Sequence, residues 1–310
     1  MTPSNDAVKT TRRASARVAR PTPTSGRFDT AIGWSPSFGV GRAVRIVLCL
    51  LSLAIFALPF VSVVASAFNS PTLALNLTFW PTEPSLESFQ RAIDVGVLHY
   101  FGNSLVIAGG GLALQIVLSI MCAYALSRKK FRGQGIVFML FLLTMMLPEE
   151  VIAVPLASVL GDLPVLGVSV RGTPLGVILP VAIWGFTILI MTEFMKEIPV
   201  EIEEAARLDG VGELGMLWRI ILPLSKPVLG VATIFGFMMI WDQYLLPLIA
   251  ADSTSDYTLT VALAGLREDA QVGPGVLLVG ALLALTPSVI LYLALQRSLV
   301  RGLTSGATKG

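Results

Sequence analysis

The chain has 310 residues, of which 54% are hydrophobic and only 14% charged, with a mean hydropathy of +0.78. A soluble globular protein is nearer a quarter charged, so the apolar excess must face lipid rather than fill a water-surrounded core. The net charge of +2 says little until the charges are placed along the chain, and it gives no reason to expect a nucleic-acid partner.

Residues 1–41 are rich in Arg, Thr, Ser and Pro, the composition of a disordered basic tail. Arg12-Arg13 has the form of a twin-arginine signal, but no apolar segment follows it closely enough. The first apolar run, 46–68, is long enough for a spanning helix. Ala65-Ser66-Ala67 mimics a signal-peptidase site, yet the run exceeds a signal h-region, so a retained helix is expected. A polar loop over 69–99 contains Pro71, Pro81 and Pro84, and Leu86, Phe89 and Ile93 suggest a short amphipathic helix within it. The second span covers 101–126, with Gly109-Gly110-Gly111 as a packing face where backbones approach closely. A basic turn, 127–133, leads to the third span at 135–160, interrupted by Pro148 and Pro155. The fourth span covers 173–192, the fifth 227–250 and the sixth 276–295.

Between spans four and five lies a polar island, 193–226. Pro199 suits a helix start, and Glu201, Glu203 and Glu204 fall in the first turns, where the helix dipole favours negative charge. Ile202, Ala205, Ala206 and Leu208 fall on one side at helical spacing, and Asp209-Gly210 ends the run. A second short helix is expected from Leu214, Leu217, Trp218 and Ile221, with Pro223 and Pro227 breaking it. The pattern predicts a helix–turn–helix foot held in water by its charges. By itself it also fits any amphipathic hairpin between membrane helices.

Six spans put both termini on one side. Of the 22 Lys and Arg, all but Arg91, Arg171 and Arg267 then fall with the termini, the basic turn and the foot. Positive charge marks the cytoplasmic side, so these segments are expected there.

Several chemistries are excluded. His99 is the only histidine, which rules out a multi-histidine metal centre and most Ser-His hydrolase schemes. No Gly-x-x-x-x-Gly-Lys-Ser/Thr run occurs, so the chain lacks a P-loop and any nucleotide chemistry belongs to a partner. Cys49 and Cys122 lie in apolar runs and read as small buried hydrophobes rather than a disulfide.

Glu204-Ala205-Ala206, three residues, Gly210, nine residues, then Ile220, Leu222 and Pro223 resembles the signature of inner-membrane permease subunits of binding-protein-dependent ABC importers. The likeness extends over about 42–310 and is similar to the carbohydrate branch, second permease subunit of the maltose-transporter type. Supporting runs are Ala123-Tyr124-Ala125-Leu126-Ser127-Arg128 with Phe131-Arg132-Gly133, Trp241-Asp242-Gln243-Tyr244, and the closing Gly302–Gly310. Asp242 stands where Asn is common, and Thr308 where Val is common.

The resemblance implies an all-α membrane fold of the type I importer class, with six transmembrane helices over 42–300. A cytoplasmic coupling segment at 197–223 docks on an ATPase through Glu204, Ala205, Ala206, Asp209, Gly210, Ile220, Leu222 and Pro223. A cytoplasmic tail, 301–310, reaches the ATPase through Gly306, Lys309 and Gly310. It further implies a homologous second permease, an ATPase dimer that binds ATP and Mg in place of this chain, and an extracytoplasmic substrate-binding protein. The chain is then not an enzyme by itself, and its setting is a bacterial inner membrane.

Ionisable groups within a span are functional candidates by default. Counted at about 1.5 Å per residue, Glu149 lies roughly 21 Å and Asp242 roughly 24 Å from the cytoplasmic ends of their spans. Glu149, Glu150 and Asp242, with Trp241, Gln243 and Tyr244, form a candidate sugar path of hydroxyl-binding and ring-stacking groups. The bland alternative is interfacial or interhelical placement. A rival function is a secondary transporter driven by an ion gradient, which broken helices would also suit. An intramembrane enzyme has no nucleophile–base pair to support it.

Overall fold

Apolar runs of this length fold as helices because lipid leaves every backbone N–H and C=O to be satisfied within the segment. The computed structural model describes residues 40–70, 78–164, 167–269 and 272–305, and these are almost entirely helical. The tail expected at 1–39 and the closing residues 306–310 lie outside the described residues. The helices are α1 (Val40–Ala67), α2 (Glu87–Asp94), α3 (Val97–Arg128), α4 (Gln134–Met146), α5 (Glu149–Gly161), α6 (Leu175–Val181) and α7 (Gly185–Glu197). There follow α8 (Val200–Leu208), α9 (Glu213–Gly215), a π turn over Met216–Ile221, α10 (Leu222–Leu224), α11 (Lys226–Trp241) and α12 (Leu245–Ala250). A 3₁₀ turn, Thr254–Asp256, precedes α13 (Leu259–Leu266) and α14 (Pro274–Ser305). Two compact units meet at Leu53/Ala54 within α1; the first contributes only 40–53 to the described residues, and the site described below lies in the second.

Four segments are long and apolar enough to cross a membrane: Gly41–Ala67, Val97–Arg128, Leu175–Lys196 and Pro274–Gln296. Two bent pairs raise the number to at most 6, namely α4 with α5 at 105° and Glu213–Leu224 with α11 at 81°. The third span is therefore not one rod. Leu147 and Pro148 are both extended, because a residue before proline is pushed out of the helical region. Pro155, by contrast, sits inside α5 without ending it. The fifth run is likewise cut after Trp241, where residues 242–244 separate α11 from α12.

In the second unit α3 is the central element, packing on α7, α11, α6 and α13. A Cβ on Gly110 would lie 2.8 Å from Ile178, and one on Gly111 3.0 Å from Val181 and 3.3 Å from Ile240, so these two glycines form the expected packing face. Gly109 faces open space. Buried polar groups stitch α3 to the broken fourth span. Gln115 donates to the Val181 carbonyl at the break between α6 and α7, and Ser119 pairs with Thr187 at 2.8 Å.

Three expectations, two of burial and one of a helix break, are corrected. On α2, Leu86 and Ile93 face outward while Ser88 and Ala92 are buried, and of the expected apolar set only Phe89 packs inward, against Phe68. Cys49 is exposed and Cys122 half-buried, because apolar membrane helices need not turn their thiols inward. Around Pro223 the chain stays helical, and the bend falls at Ser225, whose hydroxyl donates to the Ile221 carbonyl at 2.8 Å.

Candidate functional site

The foot is built from α8, the turn at 209–212 and the helical stretch 213–224. Pro199 is extended and caps α8, which begins at Val200. Gly210 closes it at φ +81, with its N–H on the Arg207 carbonyl and the Val211 N–H on the Ala206 carbonyl. A Cβ at Gly210 would touch nothing, so it is the backbone conformation, not space, that requires glycine there.

The inward face differs from the one that periodicity suggested. Glu203 and Ala206 are buried, whereas Ile202 is exposed and Leu208 is 90% exposed. In the second half the buried residues are Met216, Leu217 and Ile221, and the five-residue interval from 216 to 221 is that of a π turn. That turn leaves Leu214 and Trp218, expected on the inward face, exposed. Ala206, Met216, Leu217 and Ile221 root the foot in a cluster with Ala123 and Tyr124 of α3 and with Met191 and Met195 of α7. Ile220 and Leu222 are half-buried against the same cluster, and Pro223 is exposed. Glu204, Ala205, Leu208, Asp209 and Gly210 present the opposite, free face.

Charge fixes this foot in a way no local pattern announced. Arg128 Nε meets Glu203 Oε1 at 2.6 Å, with the two side chains only 7% and 4% exposed. The contact is an ion pair rather than an aligned hydrogen bond. A second guanidinium nitrogen of Arg128 donates to the Ile198 carbonyl at 2.8 Å. Glu213 accepts from the Tyr124 hydroxyl at 2.7 Å and pairs with Lys129 at 2.6 Å. The only hints in the sequence were the basic turn at 127–133 and a carboxylate beside the Glu-Ala-Ala run.

At the other end of α3 the contacts are neutral. Asn103 donates to the carbonyls of Ser255 and Tyr257 at 2.8 and 3.0 Å, and a ring nitrogen of His99 lies 2.8 Å from the Ser255 carbonyl. The buried Leu259 N–H donates to Ser104 at 2.8 Å. Burial works to raise the Asp256 carboxyl, but hydrogen bonds from Ser253 and the Asp252 N–H outweigh it and hold the group below its ordinary range. His99, Asn103, Ser255 and Asp256 border a cavity of about 210 Å³ whose wall also includes Thr173.

The candidate sugar path is divided by the fold. Trp241 is buried, stacked on Phe237 at 5.3 Å, edge-on to Phe101 and donating to the Ala284 carbonyl at 3.0 Å, so both its ring and its N–H serve internal packing. Asp242 and Tyr244 are exposed at the break between α11 and α12, while Gln243 is half-buried beside Met239. Glu149 and Glu150 are exposed in the first turn of α5, which packs on α12. Gly306, Lys309 and Gly310 fall outside the described residues.

With this geometry in view, a profile of the family described as "Binding-protein-dependent transport system inner membrane component" matches residues 115–305. The chain belongs to that family. Among its relatives are the probable ABC transporter permease protein YurM of Bacillus subtilis, 33% identical over 87% of this chain and 90% of the relative. The arabinooligosaccharides transport system permease protein AraQ of the same organism is 30% identical over 89% and 99%. The diacetylchitobiose uptake system permease protein DasC of Streptomyces coelicolor is 31% identical over 79% and 89%. A crystal structure of a bacterial ABC transporter involved in alginate import matches with a TM-score of 0.72 over 86% of this chain and 100% of that chain. At 20% identity that likeness shows the fold alone. The resemblance to sugar-uptake ABC permeases thus holds, and as a member of this family the chain is a multi-pass inner-membrane component.

Proposed function

We propose that this permease provides half of a sugar path across the membrane and receives the work of a separate ATPase through residues 197–223. Relatives named for arabinooligosaccharides, diacetylchitobiose and melibiose, raffinose or stachyose support a sugar or related polyol as the substrate class. The partners would be a homologous second permease, two ATPase copies holding ATP and Mg, and an extracytoplasmic binding protein. The six-span reading takes α4 with α5 as one crossing and the fifth crossing from α11 onward, leaving Glu213–Leu224 in the foot. Positive charge marks the cytoplasmic side, which supports both termini and the foot lying there.

The observation that carries the reading is the two-faced foot. One side, with Ala206, Met216, Leu217 and Ile221, is buried in the core, while Glu204, Ala205, Leu208, Asp209 and Gly210 stand free. Such a foot is able to pass a push to the helices that hold it. Asp242, Tyr244, Glu149 and Glu150 remain the candidates to face the sugar, because all four are exposed on elements at or beside the α5–α12 contact. Gly306, Lys309 and Gly310 are proposed, by resemblance, to reach the ATPase.

The test is Glu204→Lys in the reconstituted complex. The expected result is normal insertion with uptake lost and ATP hydrolysis no longer stimulated by the loaded binding protein. Uptake at the original rate with normal stimulation would remove the coupling role. Uptake that collapses with a protonophore and persists without the ATPase would favour the ion-gradient alternative.

A further inference from the structure

We propose that Arg128 and Glu203 are positioning residues that key the foot to α3 in one register, so that α3 carries the foot's movement across the membrane. This rests on the coupling reading above and adds the route within the chain.

The last turn of α3 grips both halves of the foot. Arg128 holds the first half, through Glu203 in the opening turn of α8 and the Ile198 carbonyl where α7 ends. Tyr124 and Lys129 hold the second half through Glu213. Tyr124 and Arg128 are four residues apart and so lie on one face of the helix. The apolar cluster beneath is favourable but non-directional, and alone it would let the foot slide or rotate against α3. A guanidinium bound at two points fixes one arrangement. A buried ion pair is weak evidence for stability, since two apolar side chains often serve as well, and its best-attested use is to fix register. α3 runs unbroken for 32 residues, and the stretch from this grip to Asn103 and Ser104, which hold residues 255–259, covers roughly 37 Å. Few other elements here are suited to carry movement that far, because α4–α5, α6–α7 and α11–α12 are each interrupted.

The experiment uses the whole complex with Cys49 and Cys122 replaced by Ala. Nitroxides are placed through Leu214→Cys in the second half of the foot and Val106→Cys on α3, both exposed in this chain. Their separation is measured without nucleotide and with MgADP–vanadate. With the pair intact, one narrow distance is expected in both states. In Arg128→Leu/Glu203→Leu, which leaves no charge unpaired, the distribution is expected to at least double in width. Stimulation of ATP hydrolysis by the binding protein should fall on the order of tenfold, with the complex still assembled. Arg128→Lys should restore part of both. A distance that changes between states in the intact protein, or a wild-type distribution in the double variant, overturns the proposal. If the double variant does not assemble, Glu203→Gln is read in the same way; failure of both to assemble makes the pair a folding element and also overturns it. Failure of the coupling reading looks different: a separate Leu208→Cys variant then cross-links to no ATPase while the distances still report on the pair.

Discussion

The two ends of α3 solve the same problem with different chemistry. At Arg128 the neighbouring segment is held by a buried ion pair and a carboxylate bound from two sides, over a packed apolar base. At Asn103 it is held by neutral side chains reaching backbone carbonyls and one N–H, beside a cavity of about 210 Å³. Charge-assisted hydrogen bonds such as those to Glu213 and from Arg128 to the Ile198 carbonyl are roughly twice as strong as neutral ones, so the first end is the more firmly held. The second end positions its loop with neutral contacts alone.

The largest effect expected on this contrast comes from Gly210→Val. The left-handed conformation costs an ordinary residue roughly 1–2 kcal/mol, more for a β-branched one, and the turn between the two gripped halves would be distorted. Uptake is expected to fall more than tenfold with insertion intact, while Gly210→Asn, which tolerates this conformation, should retain most of it. Uptake in vesicles and a membrane fractionation separate the two outcomes. Next is Ser104→Ala, which leaves the buried Leu259 N–H without its acceptor and should cost roughly 1–3 kcal/mol. Thermal unfolding in nanodiscs checks this, and binding-protein stimulation should change less than in the foot variants. Asn103→Ala removes two contacts that are partly open to solvent, and a loss of about 1 kcal/mol is expected, seen as faster hydrogen exchange over 253–259. The smallest effect concerns Asp256. Its carboxyl is held below the ordinary value of 3.8, so its contribution is present above that value and lost as pH falls through the lower folded value. Asp256→Asn should remove that fraction of the acid sensitivity as pH falls below the ordinary value of 3.8, and an unchanged pH profile would dissociate the group from the loop's stability.

Much of the foot was legible in the sequence. Helix-start chemistry at Pro199, carboxylates in the first turn and a glycine that had to adopt positive φ are local properties, and the structure has all three. The break at Pro148 was legible for the same reason, but its angle of 105° was not, because proline dictates that a helix ends and not where the next one points. The buried face of the foot was misread. A period of 3.6 was applied to a stretch that folds as a π turn, and Glu203 was counted among solvated charges. Trp241 shows the same limit: an aromatic beside a carboxylate reads as a sugar platform until Phe101, Phe237 and Ala284 are found around it.

The sequence alone determined that this chain lives in lipid, where its apolar runs lie, and which polar island interrupts them, because those follow from hydropathy, backbone sterics and charge placed along one dimension. Only the tertiary structure decided which charges leave the water. Arg128 and Glu203 are far apart along the chain, and burying either is tolerable only when the other arrives at 2.6 Å, a condition that exists nowhere but in the packed fold.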